Sequence, residues 1–294
     1  MIKRLTGLGV AMVTPFDAKG NIDFNAVSRV FEYLVSGSAD YVVVLGTTGE
    51  SAVLSTEEKD ELVRYIVKQN SGRVPIVVGI GGNNTDAVIN SIKRFNFQGI
   101  DAVLSVTPYY NKPTQKGLEL HYKAIAAACR LPIILYNVPG RTGVNLSAET
   151  TLSLAHDVPN IVAIKEASGN LVQQTIILRD RPKDFLVISG DDALALPQLS
   201  IGFDGVISVV GNALPKEFST MVKLGLAGNF THARTIHGKL IDFINTLFAE
   251  GNPGGIKAAL NILGLIGNNL RLPLAPVSEY TYDKLARQLE EIKK

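Results

Sequence analysis

Tryptophan is absent, cysteine occurs once and histidine four times in 294 residues. The lone thiol, Cys129, excludes an intrachain disulfide and a thiolate metal cluster within one chain. A reduced, cytoplasmic setting is the simplest expectation. The histidines, His121, His156, His232 and His237, all fall in or beside segments of helix length. They leave no Ser-His-Asp or His-metal constellation legible, and each reads as a surface or packing residue. Also missing is any stretch of about 18 apolar residues, and Met1 to Gly9 is too short and mixed for a signal sequence. The expectation is a soluble, non-exported protein without a membrane partner. Charge of one sign is lacking too: 29 Lys and Arg face 27 Asp and Glu, dispersed without a basic run or stripe, so nothing argues for nucleic acid.

What the chain has is apolar material, 46% against 19% charged residues, ample for a large core. The length exceeds that of most single domains, but one barrel commonly holds ~250 residues. Eight apolar runs of strand length alternate with helix-length segments: Gly9 to Thr14, Tyr41 to Leu45, Pro75 to Gly79, Ala102 to Val106, Pro132 to Tyr136, Ile161 to Lys165, Leu186 to Ser189 and Gly205 to Ile207. Most lack polar alternation, as parallel strands buried on both faces do. Between the second and third runs, Ser55 and Glu58 have capping-box spacing, and Leu62, Ile66 and Val67 supply an apolar stripe. With an eighth helix from about Pro215 to Ala227, the count predicts an α/β protein with a (β/α)8 TIM barrel rather than an open doubly wound sheet. No G-x-G-x-x-G follows the first run, and Gly79, Gly81 and Gly82 read as a turn. From Asn229 onward only helices are expected, roughly Phe230 to Phe248, Ile256 to Leu265 and Glu279 to Lys293. Gly251, Pro253, Gly254 and Gly255 form one break between them, Pro273 and Pro276 the other. The expected division is a catalytic barrel over 1–228 and a small helical C-terminal domain over 229–294.

In a barrel of this kind the reacting groups stand at the C-terminal ends of the strands. Lys165 ends the sixth run behind Ile161, Val162, Ala163 and Ile164, a costly place for an idle cation. Desolvation favours a neutral amine, which is a nucleophile towards ketones, while the alternative is a simple ion pair with Glu166. Tyr136 ends the neighbouring run and is either a proton carrier or a packing residue with one satisfied hydroxyl. Thr47, Thr48 and Tyr110 offer further hydroxyls at nearby strand ends, and the Gly46 to Gly49 turn permits free backbone N–H groups suited to a carboxylate. Arg141, bounded by Pro139, Gly140 and Gly143, can grip a second carboxylate or stand solvated. Asp191 and Asp192 follow the seventh run, where capping of the next helix is favoured over metal binding.

These segments together resemble the dihydrodipicolinate synthase / N-acetylneuraminate lyase family of pyruvate-dependent class I aldolases. The resemblance spans the chain and rests on GTTGES (Gly46 to Ser51), TPYYNKP (Thr107 to Pro113), YNVPGRTG (Tyr136 to Gly143), IKEASG (Ile164 to Gly169) and GDD (Gly190 to Asp192). It implies a Schiff base between Lys165 and pyruvate, and a hydroxyl relay of Tyr136, Thr47 and Tyr110, the last acting in a neighbouring subunit. It further implies that Thr48 helps hold the pyruvate carboxylate, that the backbone of Gly190 and Ile207 lines the pocket, and that Arg141 receives the carboxylate of the second substrate. The double threonine and Arg141 are more similar to the synthase branch, which condenses pyruvate with L-aspartate 4-semialdehyde to 4-hydroxy-tetrahydrodipicolinate on the diaminopimelate route to lysine. The alternative within the family is an N-acetylneuraminate lyase or a related 2-keto-3-deoxy sugar-acid aldolase. Neither metal nor coenzyme is implied, since the iminium is itself an electron sink. A homo-oligomer is, as a dimer of dimers. For feedback by L-lysine, Ser51, Ala52, Asn83 and Tyr109 match the effector pattern. Positions that are histidines in some inhibited relatives are Thr56 and Lys59, however, and a glutamate that meets the effector's ammonium is replaced by Ala87. Asp86 next to it projects about 100° away on the helix, so weak or no inhibition is expected.

Overall fold

A computed structural model describes residues 5–294. Eight parallel strands close into a barrel in sequence order: β1 Gly7–Ala11, β2 Tyr41–Val44, β3 Ile76–Gly79, β4 Ala102–Val106, β5 Ile133–Asn137, β6 Ile161–Glu166, β7 Leu186–Ser189 and β8 Gly205–Ser208. Closure comes from β1 lying against β8, with Gly7 opposite Gly205 and Val10 opposite Ser208. The helices are α1 Phe24–Ser36, α2 Thr56–Asn70, α3 Thr85–Arg94, α4 Gln115–Ala128, α5 Pro139–Thr142, α6 Ala148–Asp157, α7 Leu171–Asp180, α8 Ala195–Ser200, α9 Pro215–Leu226, α10 Phe230–Phe248, α11 Gly254–Ile262 and α12 Glu279–Lys293. The TIM-barrel expectation holds, and the expected α2 capping box is present, with the Ser55 hydroxyl accepting from Glu58 N–H while Glu58 reaches back to Ser55 N–H.

The first strand differs from its sequence-based bounds. It begins at Gly7 and ends at Ala11 because Val13 N–H leaves the ladder for Asn212 Oδ1, 3.2 Å away, and Thr14 donates its hydroxyl to Gly49 O at 2.7 Å. An apolar run thus continues beyond its strand, stitched to the loops of β2 and β8.

Strand alternation sorts the core into two layers. Val42, Val44, Val103, Leu135, Ile164, Val187 and Val206 face outward and pack with the helices, in a cluster that extends through Phe243, Leu247, Ile256 and Leu260 of the C-terminal helices. Ala11, Val43, Leu104, Ile134, Tyr136, Ala163, Ile188 and Ile207 face inward and fill the barrel. One irregularity matters for the site. Between β5 and β6 the register steps from Ile133 opposite Ile161 to Ile134 opposite Ala163, so Val162 is the extra residue of a bulge and joins Ala163 in the interior. Above it, Tyr136 stands opposite Lys165 and Asn137 opposite Glu166, one pair turned inward and the other outward.

Candidate active site

At the C-terminal mouth of the strands lies a cavity of about 390 Å³ whose wall includes Thr47, Thr48, Tyr136, Arg141, Lys165 and Gly190. Six of the eight expected site residues therefore meet on one surface. Lys165 is 6% exposed, and its Nζ lies 4.3 Å from the centre of the Tyr136 ring. The ion pair that would have left the lysine idle does not form. Glu166 points the opposite way, fully buried in the helix layer, where it accepts from Asn137, Ser168 and Gln173. Lys165 Nζ has no ion-pair partner among the described residues.

Gly190 explains how that amine has room. A Cβ at position 190 would stand 2.8 Å from Ala167 Cβ and 2.9 Å from Lys165 Cε, so the absence of a side chain forms the trough along which the lysine lies.

The threonine turn is built under backbone constraint. Leu45 adopts φ +60°, unusual for a bulky residue. Its carbonyl passes so close to Gly79 that a Cβ there would sit 2.2 Å from the oxygen. The chain then makes a 3-10 turn over Thr47–Gly49, with Gly49 N–H bonded to Gly46 O and Glu50 N–H to Thr47 O. As the first two residues of that turn, Thr47 and Thr48 carry N–H groups that no carbonyl within the turn can accept. Thr47 is exposed to the cavity; Thr48 is buried and its Oγ1 accepts from Asn252 Nδ2 at 3.0 Å. Glu50, also left-handed at φ +53°, carries the turn into a buried ion pair with Lys257 and accepts from Arg271 N–H at 3.1 Å. Burial pulls the Lys257 amine down to about 8 even beside that carboxylate.

The C-terminal segment contributes the residues that sequence reasoning missed. Ile244, Asn245 and Phe248 of α10, with its C-cap residue Ala249 and Asn252 beyond it, form one side of the cavity. The i, i+4 pairs 244/248 and 245/249 share a helix face, and the only sequence hint was an asparagine within an otherwise apolar stripe. Asp191 and Asp192 line the cavity as well. The expected helix cap is met only in part: Asp191 Oδ1 accepts from the N–H groups of Ala193 and Leu194, while α8 itself starts at Ala195, and its N-cap residue Leu194 supplies no side-chain hydrogen bond. Asp192 reaches instead to the N–H groups of Val209 and Val210, at 2.9 and 3.1 Å, and burial pushes its carboxyl up.

Two expected site residues lie off the cavity. Ile207 is buried in the apolar layer inside the barrel. Tyr110 is 88% exposed at φ +74°, held by its N–H to Thr142 O rather than through its ring. Thr47 and Tyr136 share the cavity without a hydrogen bond between them, and Tyr110 lies apart from both. The Arg141 side chain, on α5 at the rim, has no ion-pair partner among the described residues. None of the four histidines reaches the cavity. Among the described residues no group of three or more His, Cys, Asp or Glu converges as a metal site would, and no helix is long and apolar enough to cross a membrane.

Comparison with known proteins gives a consistent result. The sequence model of the dihydrodipicolinate synthetase family matches residues 4–292. A 4-hydroxy-tetrahydrodipicolinate synthase of Parabacteroides distasonis is 51% identical over 288 residues, covering 98% of this chain and 97% of its own. Among solved structures, a dihydrodipicolinate synthase described as the first monomeric variant superposes with a TM-score of 0.96 at 41% identity, covering 99% of this chain and 98% of its own. The chloride-inhibited dihydrodipicolinate synthase of Acinetobacter baumannii, solved with pyruvate, gives 0.95 at 41% identity, covering 98% and 99%.

Proposed function

From the chain's membership of the dihydrodipicolinate synthetase family we propose that it is a Schiff-base lyase condensing pyruvate with L-aspartate 4-semialdehyde to 4-hydroxy-tetrahydrodipicolinate, a step of lysine and diaminopimelate biosynthesis. The observation that carries this reading is the unpaired Lys165 amine, nearly buried over the Tyr136 ring, in a cavity with a free guanidinium at its rim.

The Lys165 amine adds to the C2 carbonyl of pyruvate and water leaves, forming an iminium. Pyruvate's carboxylate lies against the Thr47–Thr48 turn, with the Thr48 hydroxyl oriented by Asn252 so that its proton points away from the amide. The iminium draws electrons from C3, a proton leaves, and the resulting enamine attacks the aldehyde carbon of the second substrate. Arg141 holds that substrate's carboxylate bidentately. Attack of the substrate's own amine on the iminium carbon then closes the ring and returns the lysine, so one water is lost overall. Protons travel through Tyr136, Thr47 and the Tyr110 of a neighbouring subunit, which makes the active form a homo-oligomer, a dimer of dimers. Gly190 contributes backbone to the pocket floor, while Ile207 stays within the barrel interior. The chemistry calls for no metal or coenzyme, and the setting is the cytoplasm. We assign catalysis to a barrel over 1–228, with the helices of 229–294 closing one wall.

The test is borohydride reduction in the presence of pyruvate followed by peptide mapping, then turnover with L-aspartate 4-semialdehyde and with N-acetylmannosamine. The proposal requires the label on Lys165 and turnover of the semialdehyde. Label elsewhere, or none, overturns the mechanism; turnover of the amino sugar alone moves the protein to the lyase branch.

A further inference from the structure

Behind Lys165 and Tyr136, their outward-facing neighbours Glu166 and Asn137 meet between the barrel and the helices. Both are fully buried. Glu166 has no cationic partner among the described residues; its carboxylate is held by neutral donors alone. Oε1 accepts from Ser168 N–H at 2.6 Å, and Oε2 accepts from Asn137 Nδ2 and Gln173 Nε2, each at 3.1 Å.

The direction of each amide is fixed from elsewhere. Leu146 N–H donates to Asn137 Oδ1 at 2.9 Å, which forces Asn137 Nδ2 towards Glu166. Gln173 Nε2 also donates to Leu146 O at 3.2 Å, and its Oε1 accepts from Asn145 Nδ2 at 2.8 Å. Asn137 Nδ2 further donates to Asn145 Oδ1 at 2.8 Å. Flipping either amide would set donor against donor, so position 166 needs a group that only accepts, and among side chains of this shape the carboxylate alone does. An apolar residue would be cheaper to bury. What the carboxylate adds is a direction for every partner.

Those partners define what is held. Asn137 and Leu146 are the two ends of the loop that carries Arg141, and their bond closes that loop at its base; Glu166 then ties the closed base to the strand end of Lys165. We propose that Glu166, Asn137 and Gln173 form a positioning cluster that fixes the Arg141 carboxylate clamp relative to the Lys165 imine, and so sets specificity for the second substrate. This rests on the function proposed above.

The test is a double-mutant cycle of Glu166→Gln with Arg141→Ala, read by steady-state kinetics for each substrate and by borohydride-trapped pyruvate adduct. Glu166→Gln turns one acceptor into a donor facing donors. It should lower kcat/KM for the semialdehyde roughly tenfold or more, while adduct yield at Lys165 stays within about twofold of the parent. In the Arg141→Ala background the same change should cost less than about threefold, because the group being positioned is gone. A full multiplicative loss in that background, or adduct yield falling in step with turnover, overturns the proposal. If Glu166→Gln fails to fold, Asn145→Ala, at the half-buried edge of the cluster, enters the same cycle with the same outcomes required. Absence of adduct in the unsubstituted protein would instead refute the Schiff-base reading, so the two failures are distinguishable.

Discussion

Replacing Gly190 with alanine should leave the fold standing and damage the chemistry. The new Cβ would lie 2.8 Å from Ala167 Cβ, 2.9 Å from Lys165 Cε and 3.1 Å from Lys165 Cγ. Carbon atoms settle at about 3.5 to 4.0 Å, so each contact must open by roughly 0.5 to 1 Å. Ala167 Cβ is fixed to its backbone. The strand end carrying residue 190 is pinned by its N–H to Glu166 O at 2.9 Å. Both backbones are therefore held, and the lysine chain is the part free to move. Moving a reacting group by about 1 Å costs on the order of 100-fold in rate, whereas the overpacking itself costs about 1 to 3 kcal/mol of stability. The assay is the rate of borohydride-trappable adduct formation with pyruvate, beside a thermal melt by circular dichroism. A variant that melts within a few degrees of the parent but forms adduct at the parent rate would refute the assignment of Gly190 as the trough of Lys165. A variant that loses its fold would show that the strain does not fall on the lysine.

Three further outcomes are expected. Tyr110→Phe and Lys165→Ala, each inactive alone, should regain part of their activity after subunit exchange, because one hybrid site then holds both groups; verified mixed dimers without activity would place Tyr110 outside the neighbour's site. L-Lysine should inhibit weakly or not at all, since Lys59 and Ala87 stand where the effector pattern calls for other groups and Lys59 is half-buried beside Arg94; strong partial inhibition at submillimolar effector in steady-state assays would sink this. His121, which shares a 2.8 Å hydrogen bond with Thr85, is drawn by burial from its ordinary value down to about 4. The unfolded chain takes up the proton first, so stability is complete above pH ~6.5 and declines as pH falls towards 4, by on the order of 3 kcal/mol from this group. Urea titrations should show that slope reduced in His121→Phe; an identical pH dependence in both proteins would remove His121 as its source.

The barrel was legible in the sequence because parallel strands covered on both faces read as short, uninterrupted apolar runs, and β4 and β7 coincide with theirs to the residue. Lys165, Tyr136, Thr47, Thr48 and Arg141 were legible for a related reason: each breaks an apolar run at its C-terminal end or lies in the loop just after it, where this architecture collects its reactive groups. What periodicity could not reveal is phase and direction. Whether Lys165 paired with Glu166 or stood free depended on which of two adjacent residues faces the interior, and strand pairing across the Val162 bulge decided that. The cavity wall from α10 and Asn252 was equally hidden, because an amphipathic helix reports one apolar face without reporting what the rest of its surface meets. The same holds for Gly190, where the sequence records only the lack of a side chain. Its reason is the lysine chain lying across it, a contact between β6 and the end of β7 that exists only once the sheet has closed.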